Sequence, residues 1–124
     1  MLPLMIVDDS NVIRRKIDRF NETSKKFCVV AAASNGLDAL RKFGVAQPKV
    51  ITMDLTMPEM NGIDCIEALI ARDPDLLILV VSALSDKATG IAALHKGASG
   101  FLCKPFTEQQ LEEALMELVG EYDV

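Results

Sequence analysis

Residues 49–62 read KVITMDLTMPEMNG, an apolar block that ends at an acidic residue and runs into a turn. The block lacks the polar alternation of a half-exposed strand, as expected for a parallel strand covered by helices on both faces. Similar short apolar blocks recur at residues 4–7, 27–33, 76–81 and 100–103. We therefore predict five buried strands.

The segments between these blocks, and the one after the last, have apolar residues at helical spacing. In the last segment these are Leu111, Leu115 and Leu118, and Thr107 with Gln110 predicts a capping box at its start. Strands that alternate with helices indicate five βα units. The sequence therefore predicts a doubly wound α/β fold with an open parallel sheet, because right-handed crossovers place helices on both faces.

Length and composition predict one domain over residues 1–124, since half of the 124 residues are apolar and no linker interrupts them. The formal net charge of −5 argues against direct nucleic-acid binding. The cationic run at 14–16 is expected on a solvated helix face. The three cysteines lack metal-ligand spacing, so we expect reduced core thiols in a cytoplasmic protein. No apolar run is long enough to insert into a membrane.

Charged and hydroxyl side chains follow four of the predicted strands. They are Asp8 and Asp9, Asp54, Ser82, and Lys104. In open α/β sheets, ligands bind outside the carboxyl ends of the strands, near the point where the strand order reverses. We therefore expect three carboxylates, a hydroxyl and an ammonium group to meet at one edge of the sheet.

Three clustered carboxylates repel one another, and a hard divalent cation relieves that repulsion. Mg2+ prefers oxygen ligands and is commonly held by one or two carboxylates plus phosphate oxygens. We expect Asp9, Asp54 and the backbone carbonyl of Thr56 to bind Mg2+ directly, with Asp8 just outside these ligands.

A carboxylate beside such a cation can act as a nucleophile toward phosphorus. Lys104 and Ser82 would then bind oxygens of the phosphoryl group carried by Asp54. Each residue also has an ordinary structural interpretation: Asp8 or Asp9 as a helix cap, Asp54 and Ser82 as turn residues, and Lys104 as a loop residue. Their joint position after four strands favours the site.

Four ordered motifs carry a family resemblance: IVDDS at 6–10, MDLTMPEMNG at 53–62, VSA at 81–83 and GFLCKPF at 100–106. Together they resemble the receiver domain of two-component response regulators, in its single-domain, chemotaxis-type form. The resemblance spans nearly the whole chain. It implies a flavodoxin-like fold with strand order 2-1-3-4-5.

The resemblance also implies roles for individual residues. Asp54 would accept a phosphoryl group from a phosphohistidine of a sensor histidine kinase, with Asp8 and Asp9 in the acidic Mg2+ pocket. Ser82 and Lys104 would bind the phosphoryl group, and the Lys104–Pro105 peptide bond would be cis. Phe101 would be the switch aromatic that turns inward on activation, although it also fits a plain core position.

Such a protein would not be a dedicated enzyme. Its phosphorylated form would signal to a separate downstream output protein, such as a flagellar motor switch or a phosphorelay component. Three other interpretations remain: an aspartate-nucleophile phosphohydrolase, a flavodoxin-like FMN carrier, and a pseudo-receiver that binds partners unphosphorylated. The acids at 8 and 9 disfavour FMN, and the full set of pocket residues disfavours a pseudo-receiver.

One departure from the chemotaxis pattern concerns the lifetime of the phosphorylated form. Where polar side chains in those proteins align the hydrolytic water, this chain has Thr56 and Leu84, and the leucine cannot hydrogen-bond to water. We expect Leu84→Glu to shorten the lifetime several-fold, measured as decay of phosphorylated protein after removal of the donor. An unchanged decay rate would contradict this hypothesis.

Overall fold

The computed structural model describes residues 1–83 and 87–120, in which five strands alternate with five helices. The strands are β1 (Leu2–Val7), β2 (Phe27–Ala33), β3 (Val50–Met53), β4 (Leu77–Ser82) and β5 (Gly100–Cys103). The helices are α1 (Asn11–Thr23), α2 (Gly36–Ala46), α3 (Gly62–Arg72), α4 (Lys87–His95) and α5 (Glu108–Val119). Leu84 lies outside the described residues.

All five strands are parallel and lie in the order β2-β1-β3-β4-β5, which confirms the predicted fold class and strand order. The one clear shift in a predicted boundary is at β1, which begins two residues earlier than predicted. Leu2 and Pro3 pair with Phe27 and Cys28 of β2, so they extend the ladder although Pro3 interrupts the apolar block.

Two apolar clusters cover the two faces of the sheet. Helices α2, α3 and α4 pack on one face, where they contribute Ala39, Leu69 and Ala93. Helices α1 and α5 pack on the other, where they contribute Ile17 and Leu115. The interior strands β1 and β3 send alternate side chains into both clusters, which explains their continuous apolar sequence.

Several apolar or thiol side chains lie outside this core. The expectation of core thiols holds for Cys65, but it is wrong for Cys28 and Cys103, which are exposed. Both belong to edge strands in which alternate side chains are exposed, so one face of each strand is only partly covered. Exposed apolar side chains of the helices include Val12, Leu37, Ile91 and Leu94.

Side chains at the helix starts satisfy backbone donors that the helices leave free. The predicted capping box of α5 is confirmed, because Thr107 accepts from the N–H of Gln110 and the Gln110 side chain accepts from the N–H of Thr107. Ser10 caps α1 by accepting from the N–H of Ile13. The caps of α1 and α5 thus fix where the loops beside the sheet edge end.

None of the described helices combines the length and apolar character needed to span a bilayer.

The turn between β3 and α3 depends on a close approach of backbone at Gly62. A Cβ atom at Gly62 would lie 2.2 Å from the carbonyl oxygen of Asp54 and 2.6 Å from Cα of Leu55. The N–H of Gly62 also donates to the carbonyl oxygen of Leu55 at 3.0 Å. Only glycine permits this contact without moving the segment that carries Asp54.

We expect Gly62→Ala to lower the free energy of unfolding by roughly 1–3 kcal/mol, because the new methyl group forces backbone apart. Gly44→Ala is the matched control, since nothing lies within 4 Å of a Cβ there and alanine favours the α2 helix by about 0.5–1 kcal/mol. Urea denaturation of the two variants should give changes of opposite sign. Equal stability of both would contradict the close approach.

Candidate functional site

The carboxyl ends of the strands deliver the site residues through backbone hydrogen bonds that continue the sheet. The N–H of Asp8 donates to the carbonyl oxygen of Ala33 at 3.0 Å, and the N–H of Asp54 donates to the carbonyl oxygen of Val7 at 2.9 Å. At the other side of the sheet, the N–H of Lys104 donates to the carbonyl oxygen of Ser82 at 2.9 Å. The main chain at Asp8, Asp54 and Lys104 therefore continues the hydrogen-bonding pattern of the sheet.

Three carboxylates meet at this edge. One oxygen each from Asp8, Asp9 and Asp54 lies within 4.8 Å of the other two. Asp8 is 2% exposed and Asp54 is 5% exposed, whereas Asp9 is open to solvent. Two of the three negative charges are thus shielded from water, where their repulsion is strongest.

The ammonium group of Lys104 lies among these acids. Its Nζ is 2.8 Å from Oδ2 of Asp8 and 3.7 Å from Oδ1 of Asp54. The contact with Asp8 is an ion pair whose angles do not form a hydrogen bond, so this buried Oδ2 has no donor within the described residues. The other oxygen of Asp8 accepts from the N–H of Ser10 at 2.9 Å.

Burial and the neighbouring acids change the ionisation of Asp54. Burial first, and then the charge of Asp8, raise the pKa of Asp54 from its ordinary 3.8 to about 6. The ammonium of Lys104 and the N–H of Thr56, which donates to Oδ1 at 3.3 Å, oppose that rise. The carboxylate is still mostly ionised at neutral pH, but it lies in surroundings that favour an added cation.

These residues fit a Mg2+ ion. Ligands about 2.1 Å from an octahedral ion lie roughly 3–4 Å apart, and the three carboxylate oxygens lie within 4.8 Å of one another, so small side-chain shifts would bring them to that spacing. The two buried acids carry more negative charge than Lys104 neutralises, and Asp9 adds a third carboxylate at the same edge. A hard divalent cation would offset this excess, with exposed Asp9 on the solvent side.

The remaining predicted site residues lie around this pocket. Ser82 is the last residue of β4 and is buried, while Thr56 is exposed two residues after Asp54. Phe101 is 37% exposed and therefore does not occupy a plain core position. Its ring lies beside Gly90 of α4, where a Cβ would be 3.7 Å from the ring. The Lys104–Pro105 bond is cis, as the resemblance implied.

The assignment of the cationic run at 14–16 to a solvated face was wrong for two of its residues. Arg14 donates to the carbonyl oxygen of Asp8 at 2.5 Å. Lys16 donates to the carbonyl oxygen of Phe106, which is 90 positions away in the sequence. Local pattern carries no signal for a contact of that separation, and charge alone favours solvent.

Comparison with known proteins agrees with this geometry. The family model of the response regulator receiver domain matches residues 4–116. The chain is 39% identical over 115 residues to the chemotaxis protein CheY of Listeria monocytogenes, an alignment that covers 93% of this chain and 96% of that protein. Against the chemotaxis protein CheY of Thermotoga maritima the identity is 39% over 112 residues, covering 90% and 92%.

Solved structures show the same likeness. The CheX–CheY–BeF3–Mg2+ complex of Borrelia burgdorferi aligns with a TM-score of 0.91 and 27% identity, covering 97% of this chain and 90% of that one. The response regulator domain of Thermotoga maritima CheB aligns with a TM-score of 0.86 and 29% identity, covering 99% of both chains.

The raised pKa of Asp54 predicts a pH-dependent cost in stability without metal. Because the folded protein binds this proton more tightly than the unfolded chain, the cost is absent at low pH and develops between pH 3.8 and about 6. In chelator, Asp54→Asn should therefore raise the free energy of unfolding at neutral pH by roughly 1–3 kcal/mol, since one pKa unit corresponds to about 1.4 kcal/mol.

Denaturation of both proteins from pH 4 to 8 measures this difference, which should shrink toward pH 4. The control is Asp18→Asn, which removes an exposed carboxylate of α1 and should change stability little. A variant at position 54 that is less stable than the wild type at neutral pH would contradict the electrostatic account.

Proposed function

The chain belongs to the family of response regulator receiver domains, and on that premise we propose that it is a phospho-accepting switch of a two-component system. Asp54 accepts a phosphoryl group from a phosphohistidine of a sensor histidine kinase. The observation that carries the proposal is the setting of Asp54: it is buried beside Asp8, with the ammonium of Lys104 at 3.7 Å.

The chemistry requires an ionised nucleophile and neutralisation of the phosphoryl oxygens. A pKa of about 6 leaves Asp54 mostly ionised at neutral pH, so one of its oxygens can bond to phosphorus as the bond to the imidazole nitrogen breaks. Asp9, Asp54 and the carbonyl of Thr56 would hold Mg2+, with Asp8 just outside these ligands. When bound, Mg2+ supplies positive charge to the transferring oxygens.

Lys104 has two roles in this proposal. Before transfer its ammonium is paired with Asp8 at 2.8 Å and helps to offset the clustered acids. After transfer it binds an oxygen of the phosphoryl group on Asp54, and the Ser82 hydroxyl binds another. Lysine suits this exchange because its ammonium is a compact charge on a flexible stem.

Phosphorylation changes the site by about −1.5 to −2 charges. A shift from 1:99 to 99:1 between two states needs about 5.5 kcal/mol, whereas one hydrogen bond to a charged group contributes about 1.5–3 kcal/mol. Ser82 alone therefore cannot drive the switch. We propose that Ser82, Lys104 and Phe101 move together, because β4 and β5 are hydrogen-bonded neighbours: Ser82 ends β4, Phe101 lies within β5, and Lys104 directly follows β5.

The surface that would report this movement is formed by α4, β5 and α5. Ile91 and Leu94 of α4 are 54% and 50% exposed, and Phe101 is 37% exposed. Leu94 lies one helical turn beyond Gly90, which faces the Phe101 ring. An inward turn of this ring would change an apolar surface that a downstream output protein can bind.

We infer a chemotaxis-type pathway from the likeness to CheY proteins, with a motor switch or a phosphorelay component as the output partner. Three free thiols support a reducing compartment, so we propose that the protein is cytoplasmic. It takes part in its own phosphotransfer and dephosphorylation without being a dedicated enzyme.

The strongest alternative from another class is an aspartate-nucleophile phosphohydrolase. Such enzymes usually have a second acid two residues after the nucleophile to act on the leaving group, and this chain has Thr56 there. The two functions differ in turnover. A phosphohydrolase releases many phosphates per protein from simple esters, whereas a switch retains one.

Incubation with acetyl phosphate and Mg2+ should add one phosphoryl group to the intact protein, and fragment masses should locate it at Asp54. Chelation of the metal and Asp54→Asn should each abolish the label, because they remove the cation and the nucleophile. Asp18→Asn, which keeps the whole pocket, is the control and should label like the wild type.

Two results would overturn the proposal. One is an unchanged mass, or a label at another residue, in a protein shown to be folded by circular dichroism. The other is rapid, continuous release of phosphate from an ordinary phosphate ester, which would instead support the phosphohydrolase.

A further inference from the structure

A side chain of α1 is attached to the loop that follows the pocket lysine. Lys16 donates to the backbone carbonyl of Phe106, and its Nζ also lies 4.5 Å from the centroid of the Phe106 ring. The Phe106 ring is 3% exposed and packs in the cluster beneath α1 and α5. The ammonium group thus holds both the backbone and the ring of one residue.

Phe106 lies two positions after Lys104. The N–H of Lys104 donates to the carbonyl oxygen of Ser82 in β4, and this is where the hydrogen-bond ladder of the sheet ends. After Phe106, Thr107 is the first residue of the capping box of α5. The segment from Lys104 to Phe106 is therefore the short span between sheet and helix, and Lys16 of α1 makes a polar contact with its last residue.

The same helix also holds the opposite wall of the pocket. Arg14 donates to the backbone carbonyl of Asp8, the acid that pairs with Lys104 at 2.8 Å. Two cations near the start of α1 thus fix the main chain on both sides of that ion pair. Their spacing of two residues places one toward β1 and the other toward the loop after β5.

We propose that Lys16 is a positioning residue for phosphoryl binding, a role that rests on the function proposed above. By fixing Phe106, Lys16 also fixes the position of the Lys104 backbone. That position determines where the Lys104 ammonium lies beside Asp54. Lys16 does not touch the reacting atoms. Its loss allows the loop to move, and Lys104 then meets the phosphoryl oxygens less often in the right place.

A positioning role for Lys16 predicts different effects on two ligands, whereas general destabilisation of the fold would weaken the binding of both. Mg2+ would be held by Asp9, Asp54 and the Thr56 carbonyl, whereas the contacts of Lys16 are with Phe106, so Mg2+ affinity should change little when those contacts are lost. Binding of beryllofluoride, a phosphoryl mimic on Asp54, requires the ammonium of Lys104. Removing the Lys16 contact should therefore weaken the binding of beryllofluoride and leave the binding of Mg2+ unchanged.

The test measures the Kd of Mg2+, and then the Kd of beryllofluoride at saturating Mg2+, by calorimetry on the full chain. Lys16→Met keeps an unbranched apolar side chain and removes the donor and charge. We expect its beryllofluoride Kd to rise at least fivefold and its Mg2+ Kd to stay within twofold of the wild type. Lys16→Arg restores a cationic donor and should return the beryllofluoride Kd to within twofold.

Arg15→Met is the matched control, because it removes a cation from the adjacent, exposed position of the same helix. It should leave both constants within twofold, which separates the contact with Phe106 from the long-range effect of one charge. If Lys16→Met is too unstable for titration, Lys16→Ala, which also removes the donor and the charge, serves in the same measurement.

Equal beryllofluoride affinity of wild type and Lys16→Met would overturn the inference while leaving the proposed function intact. A parallel loss of Mg2+ and beryllofluoride binding would also overturn it, because it indicates general damage to the fold. Failure of the wild type to bind beryllofluoride at all would instead remove the proposed function on which the inference rests.

Discussion

The site depends on an excess of negative charge at one edge of the sheet. Asp8, Asp9 and Asp54 place three carboxylates within 4.8 Å, and Lys104 supplies one cation among them. Burial of two of these acids makes their repulsion costly, as the raised pKa of Asp54 indicates. A protein that keeps such an arrangement is poised to take up positive charge, and this property suits a magnesium-dependent phosphoacceptor.

The rest of the fold makes that cost tolerable. The interior strands β1 and β3 have apolar side chains in both clusters, so the sheet is stabilised from both faces. The ladder then continues past their ends to Asp8 and Asp54. The buried acids therefore lie on backbone that the hydrogen bonds of the sheet hold in place.

Sequence pattern was sufficient for the features that repeat or that lie next to one another. Apolar blocks located the strands, and the residues after them located the pocket, because parallel strands end at one edge. The sequence pattern predicted burial wrongly for Cys28 and Cys103 on the edge strands. Whether such side chains are buried depends on how far segments distant in sequence extend over them. The sequence pattern also gave no sign that Gly62 contacts Asp54, or that Lys16 contacts Phe106, because such approaches depend on packing across the fold.

The proposed signalling surface lies at the edge of the sheet whose side chains are least covered. Strands β1 and β3 are buried along both faces, so a change of charge at Asp54 meets dense packing on that side. At the edge strand β5, alternate side chains are exposed, including Phe101. Lys104 directly follows this strand and reaches into the pocket. Under the proposed function, charge added at Asp54 would act through Lys104 on β5, the edge strand whose exposed side chains include Phe101.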